Sequence, residues 1–198
     1  PATNVLHYAQ SIFEGAKAYK NAQGKITVFR IDDNFVRMNN SARRMCMPEI
    51  DAASDKAALF ELLRLEKDWI PTEPGTALYI RPFMFANEEV LGVHASHKYT
   101  FCIILSPVGS YYANGLKPTK ILVEEELVRA FIGGTGEAKC SGNYACSLIG
   151  GEIANSKGYD QALWLDGKEH KYVEEVGSMN IFFVIGDEVV TPALVGSI

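Results

Sequence analysis

Along the first third of the chain the apolar positions change their period. From Ile12 to Tyr19 and again from Lys25 to Arg30 they suit extended backbone, and Asn21-Ala22-Gln23-Gly24 supplies the turn of a hairpin between them. Phe35, Met38, Ala42, Met45 and Cys46 then recur at helical spacing. Asp32 or Asp33 offers an N-cap oxygen for this helix, and Pro48 ends it. A second helix is predicted from Asp55 to Trp69, with Leu59, Leu62, Leu63 and Trp69 facing inward and Pro71 as the stop.

Two β-rich runs follow, Ala77 to Phe85 and Tyr99 to Val108, joined by a polar connection from Asn87 to His97. Pro107 through Pro118 holds two Gly, two Pro and two Tyr, the composition of a linker. The second half alternates: a strand from Thr119 to Val123, a helix from Tyr144 to Ser156, a strand from Gln161 to Asp166, and a hairpin of Ile181 to Ile185 with Glu188 to Thr191. The pattern predicts an α/β protein with mixed α+β sheets in two lobes. The expected division is a small N-terminal α/β domain at 1–108, a linker at 109–118 and a large domain at 119–198.

Composition narrows the class. The 198 residues are enough to bury a core, and 47% apolar with 22% charged residues is a soluble balance. No apolar run reaches the roughly 18 residues of a membrane span. A net charge of -5 with no basic block excludes a nucleic-acid surface. The four cysteines form no CxxC pair, which points to a reduced, intracellular, cytoplasmic protein. Pro1-Ala2-Thr3-Asn4 lacks the basic start of a signal peptide. The chain begins without Met and stops at Val195-Gly196-Ser197-Ile198 with no helix-ending signal, so a fragment incomplete at both ends is expected.

The candidate chemistry centres on Phe131 to Tyr144, a glycine-rich loop holding one lysine. Its glycines could admit an anion to the backbone N–H groups. The nucleotide P-loop pattern fails, because Ala138 and Cys140 flank Lys139 where Gly and Ser or Thr are required, and the dinucleotide fingerprint lacks its third glycine. Gly136 and Gly142 leave room around Lys139 for a bulky ring. A lysine in a dry pocket is destabilised as an ammonium, and its amine can then form a Schiff base. A pyridoxal ring so held needs a carboxylate at its pyridine nitrogen, and Glu174 and Glu175 are the available pair. Neighbours on a strand face opposite ways, so only one of them reaches the ring.

Other constellations carry less. His94 and His97 lie in a loop with no third ligand, so no metal site is expected. A Gly-x-Ser-x-Gly elbow is absent, and Glu124-Glu125-Glu126 reads as a solvated turn. Taken alone, Arg37 is a solvated charge on a helix face.

Together, Leu6-His7-Tyr8 through Phe13-Glu14-Gly15, Leu78-Tyr79-Ile80-Arg81-Pro82, the Lys139 loop and Glu175-Val176-Gly177-Ser178-Met179-Asn180 resemble the branched-chain amino acid aminotransferases. These are class-IV pyridoxal 5'-phosphate enzymes of the two-lobed D-amino acid aminotransferase-like fold, and the resemblance runs over essentially the whole chain. It implies that Lys139 is the catalytic Schiff-base lysine, that Glu175 rather than Glu174 meets the pyridine nitrogen, and that Tyr144 hydrogen-bonds the ring hydroxyl. By the same resemblance Arg37 binds the cofactor phosphate and the 119–198 region is the cofactor-binding domain. Tyr79 and Ser178 lie near the substrate carboxylate with Arg81 in support, while Tyr8, Phe13 and Tyr111 wall the substrate side chain. The implied reaction exchanges an amino group between leucine, isoleucine or valine and 2-oxoglutarate, in a homodimer. Family members are longer, with an N-terminal extension and a later Leu-Pro-Gly loop whose Thr helps hold the phosphate. A D-amino acid aminotransferase or an aminodeoxychorismate lyase of the same fold remains an alternative, as does a non-catalytic fragment.

Overall fold

The computed structural model of the chain describes residues 1–110 and 117–198. It divides into two compact units, Pro1–Leu116 with Ala138–Ser141 and Lys117–Glu137 with Gly142–Ile198.

The first unit contains α1 (Asn4–Tyr8), β1 (Ser11–Phe13), β2 (Ala16–Lys20), β3 (Ile26–Val28), α2 (Ile31–Arg44), α3 (Ala52–Leu65), β4 (Ala77–Ala86) and β5 (Tyr99–Val108). β4 is the spine of an antiparallel sheet. Its alternate residues from Leu78 to Ala86 are buried, which is the two-residue period of a strand with one face on a core. β5 pairs with it from Ala77↔Val108 to Ala86↔Tyr99. On the other edge β2 and β1 pair with β4 in succession, Ala16↔Ile80 and then Phe13↔Phe83. The strand predicted from Ile12 to Tyr19 is therefore two strands, broken at Glu14 and Gly15. At the break the Tyr79 hydroxyl packs close to Gly15, where a Cβ would overlap it. The β2–β3 hairpin forms as expected, with Asn21 Oδ1 accepting the N–H groups of Gln23 and Lys25.

The caps differ from the sequence expectation. Arg30, in the left-handed region at φ 47°, precedes α2 without a side-chain cap, and Asp32 and Asp33 sit inside the first turn. There their charges still meet the positive end of the helix. The helix stops at Arg44, and Cys46 turns the chain at φ 54° before Pro48 is reached. α3 begins earlier than predicted because Asp51 caps it, accepting the Ala53 N–H at 3.1 Å. Trp69 does not face inward. The α-helix gives way to a 3₁₀ turn at Lys67–Trp69, whose larger rotation per residue swings the indole to 63% exposure and buries Ile70 instead.

Two apolar clusters lie in this unit. Phe35, Leu59, Leu63, Leu78 and Ile80 form one; Ile12, Met38, Ala42, Met84 and Cys140 form the other. Ala138 and Cys140 thus anchor the lysine-bearing segment in the first unit's core.

The second unit contains β6 (Ile121–Glu124), α4 (Ser141–Ser156, whose first residue groups with the first unit), β7 (Gln161–Leu165), β8 (Val173–Val176), β9 (Phe183–Ile185) and β10 (Glu188–Val190). β6 and β7 are parallel, as a helical crossover requires, and β8 is antiparallel to β7. Trp164 is buried with Ala154 and Ala162. α4 approaches it through Gly150, where a Cβ would overlap the indole. Of the run read as a solvated turn, Glu125 and Glu126 are exposed in a bend, and Glu124 departs from the expectation. It is 6% exposed, and its Oε1 accepts the N–H groups of Glu126 and Leu127 at 3.0 Å.

Among the described residues no helix is long and apolar enough to cross a membrane. No group of three or more His, Cys, Asp and Glu among them could hold a metal ion, and the rings of His94 and His97 stack 5.8 Å apart.

Candidate active site

Lys139 is fixed at both of its peptide groups. Its N–H donates to Ser41 Oγ at 2.9 Å, and its carbonyl accepts the Phe13 N–H at 3.0 Å. Ser41 is itself buried on α2, so helix and strand together set the backbone of this one residue. The next residue, Cys140, bridges Ile12 in an antiparallel pair. The amine is then carried over the Phe13 ring, with Nζ 4.9 Å from its centroid.

The same ring carries a second cation. The Arg81 guanidinium lies 4.6 Å from the Phe13 centroid and 5.1 Å from that of Tyr79, and its Nη2 donates to the Tyr79 hydroxyl at 2.8 Å. Arg81 Nε is buried and has no hydrogen-bond partner among the described residues. Phe13, Arg81, Phe83, Ile104, Ser11 and Ser141 line a cavity of about 290 Å³. Tyr79 and Arg81 belong to one face of β4 and Phe13 ends β1, so the sheet register brings them together. Arg37 lies on α2, one turn before Ser41, and is gripped by Glu14. Tyr8 ends α1, and its hydroxyl donates to the Leu91 carbonyl. Tyr111 lies outside the described residues.

In the second unit Tyr144 and Ser178 line one cavity of about 250 Å³, over Trp164 and Gln161. Glu175 opposes Trp164 on β7, and the register shifts just beyond, so Glu174 has no residue opposite. The two glutamates go to different partners. Glu175 forms a buried ion pair with Arg129, and Glu174 Oε1 accepts the Ser197 hydroxyl. The glycine loop is held by Asn143, whose Nδ2 donates to the Thr135 carbonyl at 2.6 Å while the Thr135 hydroxyl donates to Asn143 Oδ1 at 2.7 Å. Gly142 is open, as the sequence reading expects of both flanking glycines. Gly136 is not: the Ser197 carbonyl occupies the place its Cβ would take. That glycine serves a close backbone approach instead of clearance for a ring.

Four residues of this arrangement carry no role in the sequence reading: Glu14, Ser41, Arg129 and Asn143. Ser41 had a usable signal, since it follows Arg37 by four positions on a helix and so shares its face. Arg129 had none, because its partner is distant in the chain.

Comparison with known proteins gives the family of the chain. The family described as amino-transferase class IV matches residues 11–198. Branched-chain-amino-acid transaminase 1 of Bacillus subtilis (strain 168) is 59% identical across 100% of this chain, which covers 56% of that protein. A probable branched-chain-amino-acid aminotransferase of Staphylococcus aureus (strain N315) is 57% identical across 100% of this chain and 55% of its own length. Among solved structures, the branched-chain aminotransferase of Thermoproteus uzoniensis with norvaline superposes with a TM-score of 0.84 at 26% identity, over 100% of this chain and 63% of that one. An aminotransferase from Brucella abortus bound to the cofactor PLP gives 0.78 at 25% identity, over 99% and 65%. The chain spans about half the length of the curated relatives it matches, and its mixed α/β fold is the one these structures share. With the family's pattern matching nearly every residue, the chain belongs to the class IV aminotransferases.

Proposed function

We propose that the whole protein is a pyridoxal 5'-phosphate-dependent aminotransferase exchanging an amino group between branched-chain L-amino acids and 2-oxoglutarate. The observation that carries this reading is the double clamp on Lys139, which sets one amine over an aromatic ring beside Arg81. Relatives named for this activity, identical at well over half of the aligned positions, support it.

The residues fit the cofactor by their chemistry. Lys139 offers a primary amine to the aldehyde, Arg37 a half-exposed guanidinium to the phosphate, and Tyr144 a phenol to the ring hydroxyl. Glu175 is the proposed carboxylate for the pyridine nitrogen. It is buried and ion-paired with Arg129, and a carboxylate has acceptor sites beyond the one an arginine occupies. When bound, pyridoxal phosphate supplies the electron sink that makes the substrate Cα proton acidic. Lys139 Nζ takes that proton from Cα and returns a proton later in the cycle. Arg81, with its buried and unpartnered Nε, offers a charge-assisted contact to a substrate carboxylate, with Tyr79 and Ser178 as further polar groups. Tyr8, Phe13 and Tyr111 are the proposed apolar wall, where each buried methylene contributes about 0.8 kcal/mol.

A cytoplasmic homodimer belongs to the same reading. The four cysteines are all free thiols, which suits a reducing compartment. In the whole protein Lys139→Ala should abolish the visible absorbance of lysine-bound cofactor and all turnover of L-leucine with 2-oxoglutarate. A borohydride-reducible cofactor adduct surviving in that variant would overturn the lysine assignment. Turnover of D-alanine alone by the unaltered protein would overturn the substrate class.

A further inference from the structure

Glu14 has no part in the reaction just described, yet its carboxylate accepts four hydrogen bonds. Its side chain is 1% exposed. Oε1 accepts Arg37 Nε at 2.5 Å, and Oε2 accepts Arg37 Nη2 at 2.8 Å, Asn34 Nδ2 at 2.7 Å and the Gly15 N–H at 3.1 Å. Its own N–H donates to the Pro82 carbonyl at 2.8 Å. A carboxylate this deep is tolerated only when paired, and an apolar residue would fill the break between β1 and β2 without that cost.

The pairing uses one edge of a planar fork. Nε and Nη2 face Glu14, so the edge formed by Nη1 and Nη2 is directed away from it. The Arg37 side chain is 52% exposed, so solvent reaches part of it while its carboxylate partner is buried. α2 also holds the Lys139 backbone through Ser41, one turn further along the helix. Glu14 therefore orients a guanidinium on the same helix that positions the lysine. An arginine loses rotamer freedom when it binds an anion, and one already held by a buried carboxylate has lost it beforehand. The charge of Glu14 opposes an incoming dianion, but the fork neutralises much of it.

We infer that Glu14 is a positioning residue that presents Arg37 to a phosphate monoester, and so sets the preference of the site for a phosphorylated aldehyde over its unphosphorylated form. This rests on the reading of Arg37 as the phosphate-binding residue.

The test measures dissociation constants of pyridoxal 5'-phosphate and of pyridoxal for the cofactor-stripped whole protein, as the original form, Glu14→Gln and Arg37→Ala. Glu14→Gln should lower the preference for the phosphorylated form by about tenfold, the cost of ordering one rotamer-rich side chain at binding. A merely structural role would weaken both aldehydes alike and leave their ratio unchanged. An unchanged or increased ratio in Glu14→Gln, with a fall in Arg37→Ala, overturns the role of Glu14. An unchanged ratio in Arg37→Ala overturns the reading of Arg37 itself. Should Glu14→Gln fail to fold, Glu14→Asp decides by the same ratio, since it keeps the charge but withdraws the carboxylate from the fork.

Discussion

The side chains of Arg129 and Glu175 are 6% and 8% exposed, and each is the other's counter-charge. Removing one partner leaves the other buried without this counter-charge. Arg129→Met should therefore lower the unfolding free energy by about 3–5 kcal/mol, read from urea denaturation. Adding Glu175→Leu to that variant should recover most of the loss, because an apolar pair of similar volume needs no counter-charge. A cost of Arg129→Met within about 1 kcal/mol, the range of an exposed pair, would show that water reaches the site. At this scale the candidate residues came from their own strings, Lys139 from its place between glycines and the pair Glu174 and Glu175 ahead of Val176-Gly177-Ser178, with the resemblance choosing Glu175. Their partners did not. Ser41 and Arg129 meet Lys139 and Glu175 only after the chain folds back, and no local pattern encodes that meeting.

Between β7 and β8 the chain turns on one side chain. Asp166 accepts the N–H groups of Lys168, Glu169, Lys171 and Tyr172 at 2.7–3.1 Å, and these bonds hold its carboxyl far below the usual carboxylate range. The turn matters to the site because it sets the pairing that places Glu175 opposite Trp164. Folding lowers this pKa, so the stabilisation is complete above the ordinary value of about 3.9 and is lost as the pH falls below it. The melting temperature of the original protein should thus drop more steeply below about pH 4 than that of Asp166→Asn, which lacks the titration. Parallel slopes would exclude this contribution. Elements themselves were largely legible, since the helical spacing of Phe35, Met38 and Ala42 and the long run of β4 have no competing reading. Their ends were less so. Asp51 caps α3 and Arg30 precedes α2, because the cap is chosen by how the incoming chain is packed and several nearby carboxylates could serve.

At the scale of the molecule, a ligand that binds only the folded state must stabilise all of it. Pyridoxal 5'-phosphate at about 100 times its dissociation constant should add about 2.7 kcal/mol, seen as a concentration-dependent rise in Tm, and its removal should reverse the rise. No rise in the whole protein would exclude the cofactor. The chain divides into two units, yet Ala138–Ser141 groups with the first although the residues on either side belong to the second. Ala138 and Cys140 bury in the first core, and the intervening Lys139 is clamped between Ser41 and Phe13. The sequence alone determined the class of fold and the candidate lysine, because these depend on local periodicity and on side-chain types at short spacing, and its motifs carried the resemblance to the family. Only the tertiary structure decided which charges are buried together, where the strand before Gly15 breaks and which unit holds the lysine segment. Those depend on contacts between positions far apart in the chain, where burial and close approach set the energy.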